Sequence, residues 1–227
     1  YCLEKLYNAE VSENPAAQLL ALAVERVADL AGSYMVAGFV HGVLNTDNVA
    51  LSGETIDYGP CAFLDQYDPD TVFSSIDQQG RYAYRNQPMI AQWNLARLAE
   101  ALLPLLAPTE AAAVEIATAA LNEFPDLYYH AWQDRMSAKL GLASTAAAKT
   151  LAEQLLQLMA ANNVDFTICF RTLAFAVSDA SDPQGPATLF TDQQGWRVWA
   201  ALCSYLASPQ TLKWISTRLA LRLSSWW

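Results

Sequence analysis

One short polar stretch holds most of the side chains in this chain that are suited to chemistry. Between Val40 and Tyr67 the sequence reads VHGVLNTDNVALSGETIDYGPCAFLDQY. It packs His41, Asn45, Asp47, Asn48, Asp57 and Gly59 into a span with little room for helix. Loops of this kind, carried by a rigid scaffold, are where function concentrates. Val49–Leu51 and Thr55–Ile56 flank Ser52-Gly53-Glu54, a pattern that reads as a small hairpin turning at Gly53. Asn48 stands just before its first arm and Asp57 just after its second. Antiparallel pairing of the arms therefore makes these two side chains face one volume. Taken singly, Asn45, Asp47 and Asn48 are ordinary turn formers. Turn chemistry does not explain their joint spacing with His41 and Asp57.

Phosphoryl-transfer sites of the kinase type use a loop of form H-x-D-x-x-x-x-N. Its Asp handles the acceptor hydroxyl and its Asn binds metal; after a short hairpin comes D-F-G, whose Asp holds Mg²⁺ against the phosphates. Counted from His41, the Asn position falls on Asn48, and Asp57-Tyr58-Gly59 stands in place of D-F-G. The position two after the histidine holds Val43, which neither accepts a proton nor binds metal. On this pattern alone the chain reads as a pseudokinase, a nucleotide-binding module without chemistry. Asp47, one residue before Asn48, offers a carboxylate to the same centre from a shifted position. His41 is expected to hold the loop by side-chain hydrogen bonds rather than to act as a general base.

The elements that must position this loop read mostly as helix. Asn14-Pro15 marks a helix start, with Asn at the cap and Pro at the first helical position. Leu20, Val24, Val27 and Ala31 recur at helical spacing up to Gly32-Ser33, where the helix is expected to end or loosen. Val36 to Val40 is a short apolar approach to His41. Residues 60–86 read as irregular and polar, and a loop of that length inside a compact domain is usually functional. Further helices are predicted from Pro88, the first containing Ile90, Trp93, Leu95, Leu98, Leu102 and Leu105 with a disturbance at Pro104. Others start at Pro108-Thr109-Glu110, run from Pro125 to Leu140 and from Ser144-Thr145 to Ala161, and follow a cap at Asp165. A loop at 180–187 and helices over Trp196–Ala207 and Thr211–Leu223 complete the chain. Trp93, Trp132, Trp196, Trp199 and Trp214 are read as core, and His130 as a structural or surface residue.

Composition narrows the function classes. Hydrophobic residues make up 53% and charged residues 16%, which suggests a thick helical core. The net charge of −10, with lysines only at Lys5, Lys139, Lys149 and Lys213, argues against a nucleic-acid partner. Cys2, Cys61, Cys169 and Cys203 lie far apart with no C-x-x-C pair, so neither a zinc site nor a disulfide framework is expected. Cys61 follows the Asp57 loop directly. The most apolar region, residues 16–44, is interrupted by Glu25, Arg26 and Asp29, so no membrane span is expected. The chain opens with Tyr1 and shows no signal peptide, which reads as a piece of something longer.

Five segments carry a resemblance to a known family: HGVLNTDN (41–48), TIDYGP (55–60), FLDQYDP (63–69), DQQGRY (77–82) and NQPxxAxWNLxRL (86–98). Together they resemble the SelO family, also called YdiU or UPF0061, and the likeness extends more loosely through MSAKLGL (136–142) and DFTICFRTL (165–173). Members are kinase-fold proteins that act as protein adenylyltransferases. The resemblance implies transfer of AMP from ATP to Ser, Thr or Tyr hydroxyls of proteins, with ATP flipped relative to a kinase. It implies Asp47 as proton acceptor and Asn48 and Asp57 as ligands of Mg²⁺ or Mn²⁺, Asp57 also reaching the phosphates through the metal. The flip accounts for Val43, because presenting the α-phosphate moves the reacting centre and the carboxylate with it.

The fold so implied is mostly α, a protein-kinase-like C-terminal lobe with a small catalytic-loop β-hairpin. It would occupy residues 1–227 as a catalytic and metal-binding loop (40–60), an activation-segment-like stretch (60–86) and a helical remainder (87–227). The family's nucleotide-binding N-terminal lobe, with its Gly-rich loop and Lys, has no match upstream of His41, and the chain stops short of an Asn-Pro segment. A fragment inactive by itself is therefore expected. ATP and hydroxyl-bearing proteins are the expected partners, not nucleic acid or membrane. The expected location is the cytoplasm for a bacterial member and the mitochondrion for a eukaryotic one. The competing readings are a kinase-type phosphotransferase and a nucleotide-binding pseudokinase module.

Overall fold

The predicted helix starts are made by the capping side chains that mark them. In a computed structural model, which describes residues 1–176 and 185–206, Asn14 Oδ1 accepts the Ala17 amide at 3.1 Å and Pro15 opens helix α2 (Pro15–Ala37). The Asn14 amide also donates to the Leu106 carbonyl at 2.9 Å, so one residue closes the start of α2 and the end of α3 (Gln87–Leu106). Thr109 caps α4 (Glu110–Asn122) and Thr145 caps α6 (Ala146–Ala161) in the same way. Asp165 Oδ1 accepts the Ile168 amide at 2.7 Å at the head of α7 (Phe166–Ala176). A short α1 (Cys2–Lys5), α5 (Phe124–Lys139) and α8 (Gln193–Leu206) complete the described helices. The predicted helix over Thr211–Leu223, with Trp214, and most of the predicted 180–187 loop lie outside the described residues.

Two local readings are corrected. Helix α2 does not stop at Gly32-Ser33 but runs to Ala37 and ends at Gly38, which is left-handed with φ 70°. Gly32 is there for packing, since a Cβ on it would sit 3.1 Å from Ala131 Cβ and 3.2 Å from the Trp132 amide nitrogen. A glycine that admits a neighbouring backbone looks, in sequence, like one that ends a helix. The buried face of α3 is formed by Ile90, Ala91, Asn94, Leu95 and Ala99, so Trp93 is not the core residue expected. Trp93 is 40% exposed and Leu105 68%. The Trp93 ring is covered instead by cations, with the Arg81 and Arg97 guanidinium carbons 4.5 and 4.9 Å from its centroid. Pro104 sits in the last turn of α3, where it cannot donate to the Glu100 carbonyl, yet the helix continues to Leu106.

The chain divides into two compact units, residues 1–63 with 70–132, and residues 64–69 with 133–227. In the first, α2, α3 and α4 pack on one another around Leu20, Val24, Val27, Leu95, Ala99 and Ala117. Alanines along these contacts let the helix axes approach closely. Phe39 and Tyr34, with ring centroids 4.9 Å apart, extend this core toward the polar loop. In the second, Trp199 Nε1 donates to the Leu151 carbonyl at 2.8 Å, tying α8 to α6, and Trp196 stacks on Phe190 at 4.7 Å. Trp132, Trp196 and Trp199 are buried as expected. The 65–67 segment bonds to the head of α7 through Tyr67 N–H to Val164 O at 2.9 Å and Phe166 N–H to Asp65 O at 2.6 Å. No described helix is long and apolar enough to cross a membrane.

Candidate active site

The polar loop is closed at its base by backbone pairing. Strand β1 (Phe39–Val40) pairs antiparallel with β2 (Ala62–Phe63), Phe39 opposite Phe63 and Val40 opposite Ala62. Everything between, residues 41–61, is therefore one long excursion that leaves and returns at the same place. The predicted inner hairpin is present in reduced form, as a single antiparallel bridge between Val49 and Thr55. Helix α2 holds its tip: Arg26 Nη1 donates to the Ser52 carbonyl at 3.0 Å, and the Tyr34 hydroxyl lies 2.8 Å from Thr55 Oγ1. The side chains that fix the turn thus come from α2, Arg26 from its polar positions and Tyr34 from its buried face.

His41 is fully buried and ties both limbs of the loop together. Its Nε2 lies 2.9 Å from the Ile56 carbonyl, and its Nδ1 lies 3.4 Å from the Val43 amide nitrogen. The network assigns the proton to Nε2, so the ring donates to Ile56 O and accepts from Val43. Burial pushes its pKa below the ordinary histidine value, against the opposing pull of the bond to the Ile56 carbonyl. Both ring nitrogens are engaged within the loop, in keeping with the structural role expected for it.

Asn48 ends a single 3₁₀ turn, Thr46–Asn48. Its Nδ2 donates to the Val43 carbonyl at 2.9 Å and to Asp57 Oδ2 at 3.0 Å. The two residues expected to share one volume are thus in contact across the bridge. Asp57 is held at φ 55°, a region that non-glycine residues seldom occupy and that often marks a functional site. Asp47 lies in the same turn as Asn48, with its side chain exposed, as is that of Asp57. With the Asn48 NH₂ spent on Val43 and Asp57, its oxygen remains as a neutral hard donor beside a carboxylate. Such a pair suits a hard divalent cation better than zinc, which takes Cys and His. No group of three or more His, Cys, Asp or Glu suited to a metal occurs among the described residues.

Other residues that build the site were not singled out by spacing. Gly42 is left-handed at φ 85°, and a Cβ there would lie 3.0 Å from both Cγ and the carbonyl oxygen of Pro60. Its bareness lets the Asp57 limb close on the His41 limb. Gln87 and Asn94 reach the loop backbone from α3, Gln87 bonding to Phe39 and His41 and Asn94 to Leu44. The sequence does carry a signal for Asn94, a polar residue inside the apolar stripe Ile90, Ala91, Leu95. Gln87 opens α3, and its signal in the sequence is its place in the family-like segment 86–98. Cys61, next to the site, is half-buried and its thiol donates to the Tyr58 carbonyl at 3.2 Å. Cys169 is buried, and burial pushes its thiol up to about 12, which leaves it inert. His130 is exposed, as expected.

A helical scaffold presenting a carboxylate–amide pair on a loop closed by two strands is the arrangement to be matched against known proteins. The chain belongs to the SelO family: the family model described as Protein adenylyltransferase SelO matches residues 1–217. A protein nucleotidyltransferase YdiU from Agrobacterium fabrum is 51% identical over 185 residues, covering 81% of this chain and 38% of the relative. One from Chromobacterium violaceum is 49% identical over 211 residues, 91% of this chain and 43% of the relative. One from Anoxybacillus flavithermus is 52% identical over 175 residues. The chain thus spans well under half the length of these curated relatives.

Proposed function

We propose that this chain supplies the acceptor- and metal-handling part of a protein nucleotidyltransferase that moves AMP from ATP to Ser, Thr or Tyr hydroxyls of proteins. The observation that carries this reading is the 3.0 Å contact between Asn48 Nδ2 and Asp57 Oδ2, with exposed Asp47 beside it in the same turn. The family description and the printed names of the relatives support nucleotidyl transfer.

Asp47 takes the proton of the acceptor hydroxyl as its oxygen attacks the α-phosphorus. The new O–P bond forms as the bond to the β-phosphate oxygen breaks, and pyrophosphate leaves with that electron pair. Asn48 and Asp57 would hold Mg²⁺ or Mn²⁺, Asp57 being the one that would also serve the nucleotide. Such an ion would neutralise charge on the phosphates, and an amide oxygen beside a carboxylate suits a hard cation of this kind. His41 keeps the two limbs in register and stays neutral. The fold belongs to this reading as a kinase-like C-terminal lobe, acting in the cytoplasm.

The test uses the full-length protein that contains this chain, incubated with ATP, divalent metal and candidate proteins, and read by mass spectrometry. AMP-sized additions are expected, lost in Asp47→Ala. Phosphate-sized additions without AMP-sized ones would refute nucleotidyl transfer in favour of a kinase. Val43, at the position where a kinase loop has its aspartate, favours a second reading, a nucleotide-binding module without chemistry. Nucleotide binding with no modification of any kind would establish that one, and unchanged activity in Asp47→Ala would remove Asp47 from the mechanism.

A further inference from the structure

We propose that Gln87 and Asn94 are positioning residues, a pair of buried amides on α3 that sets the separation between the Asp47–Asn48 turn and Asp57. The catalytic consequence rests on the function proposed above; the geometry does not. Gln87 is 1% exposed and Asn94 4%, and their seven-residue spacing puts them on one helix face two turns apart. Gln87 Oε1 accepts the His41 amide at 2.9 Å while its Nε2 donates to the Phe39 carbonyl at 2.8 Å. Asn94 Nδ2 donates to the Leu44 carbonyl at 2.9 Å. Three backbone groups of the segment entering the site therefore end on α3.

From there the constraint forks to the two halves of the site. The His41 ring, placed by its backbone, grips the Ile56 carbonyl at 2.9 Å, one residue before Asp57. Beyond Leu44 the chain turns so that Asn48 Nδ2 returns to the Val43 carbonyl at 2.9 Å. Both halves are thus referenced to one rigid helix, and the Asn48–Asp57 contact is what results. The β1–β2 pairing cannot do this alone, because each strand is two residues long.

The chemistry at position 87 is specific. A side-chain amide accepts and donates from adjacent atoms, an ionised carboxylate only accepts, and a thioether does neither to useful effect. Water is excluded at this depth, so a lost partner is not replaced.

The experiment compares Gln87→Met and Gln87→Glu with the parent full-length protein, by hydrogen exchange at the His41 amide and by kcat and KM for nucleotidyl transfer across pH. In folded Gln87→Met, faster exchange at His41 and a loss of about 100-fold in kcat are expected, the usual cost of an ångström-scale misplacement. In Gln87→Glu, burial raises the pKa of the introduced carboxyl, and its protonated form can donate to Phe39 as the amide does. His41 and Tyr84 are the titratable groups beside it, so each value is taken relative to the parent at the same pH. kcat should approach the parent at low pH and fall as pH rises, because the ionised carboxylate still accepts from His41 but can no longer donate to the Phe39 carbonyl. Unchanged His41 protection in folded Gln87→Met, or a Gln87→Glu defect that is the same at every pH, overturns the proposal. Should Gln87→Met not fold, the pH profile of Gln87→Glu decides. Should the parent transfer no nucleotide, the exchange measurement still decides the positioning claim separately from the proposed function.

Discussion

Replacing Gly42 by alanine should disturb the closure of the Asp57 limb on the His41 limb without altering any functional side chain. Gly42 has φ 85°, and the added methyl would lie 3.0 Å from Pro60 Cγ and from the Pro60 carbonyl oxygen. The left-handed conformation costs an L-residue about 1–2 kcal/mol. Crowding adds about 1–3 kcal/mol where the neighbour is backbone or a closed ring and cannot swing aside. Together these give a loss of about 2–5 kcal/mol, or a smaller loss with the Asp57 limb displaced from the His41 limb. Gly59→Ala is the internal control: its φ is not positive and its nearest neighbour, Asp57 Oδ1, is at an ordinary 3.5 Å. That variant should stay within about 0.5 kcal/mol of the parent. Urea unfolding followed by circular dichroism, with hydrogen exchange over residues 43–48, reads both effects. A Gly42→Ala protein with the stability and loop protection of Gly59→Ala would refute the reasoning.

Two further outcomes follow from the same geometry. Asp57→Ala should abolish metal-dependent nucleotide binding by the full-length protein, and calorimetry with ATP and Mg²⁺ showing unaltered affinity would contradict the role given to Asp57. His41 should impose an acid limit on stability. Its folded pKa lies below the ordinary value of 6.5, so the unfolded chain takes up the proton first as pH falls. The stability associated with neutral His41 is therefore complete above about pH 6.5 and is lost as pH drops from there toward the folded pKa. His41→Gln should flatten that part of the pH–stability curve, and an unchanged slope would show that other groups carry it.

The parts legible in sequence were those governed by neighbours along the chain. Asn14, Thr109, Thr145 and Asp165 announce helix starts because a cap satisfies amides two or three residues away. The meeting of Asn48 and Asp57 was legible for the same reason, since a turn between them leaves their ends nowhere else to go. Gly32 misled because its partners are remote, and Trp93 because arginines rather than apolar side chains cover its ring. Ala131 and Trp132 explain the glycine, and Arg81 explains an indole on the surface. The reach of Arg26, Tyr34 and Gln87 onto the loop is likewise set by helices that sequence shows only as apolar stripes.

By itself, then, the sequence determined which side chains stand in the loop, in what order, and that Asn48 and Asp57 must meet. Local hydrogen-bond chemistry and short loop closure suffice for that. Only the tertiary structure decided how the loop is held: the buried His41, the close pass of Gly42 over Pro60, and the grip of α2 and α3 on its backbone. Those contacts join residues up to 50 positions apart, and burial enforces them, because a polar group cut off from water must find a partner in the protein.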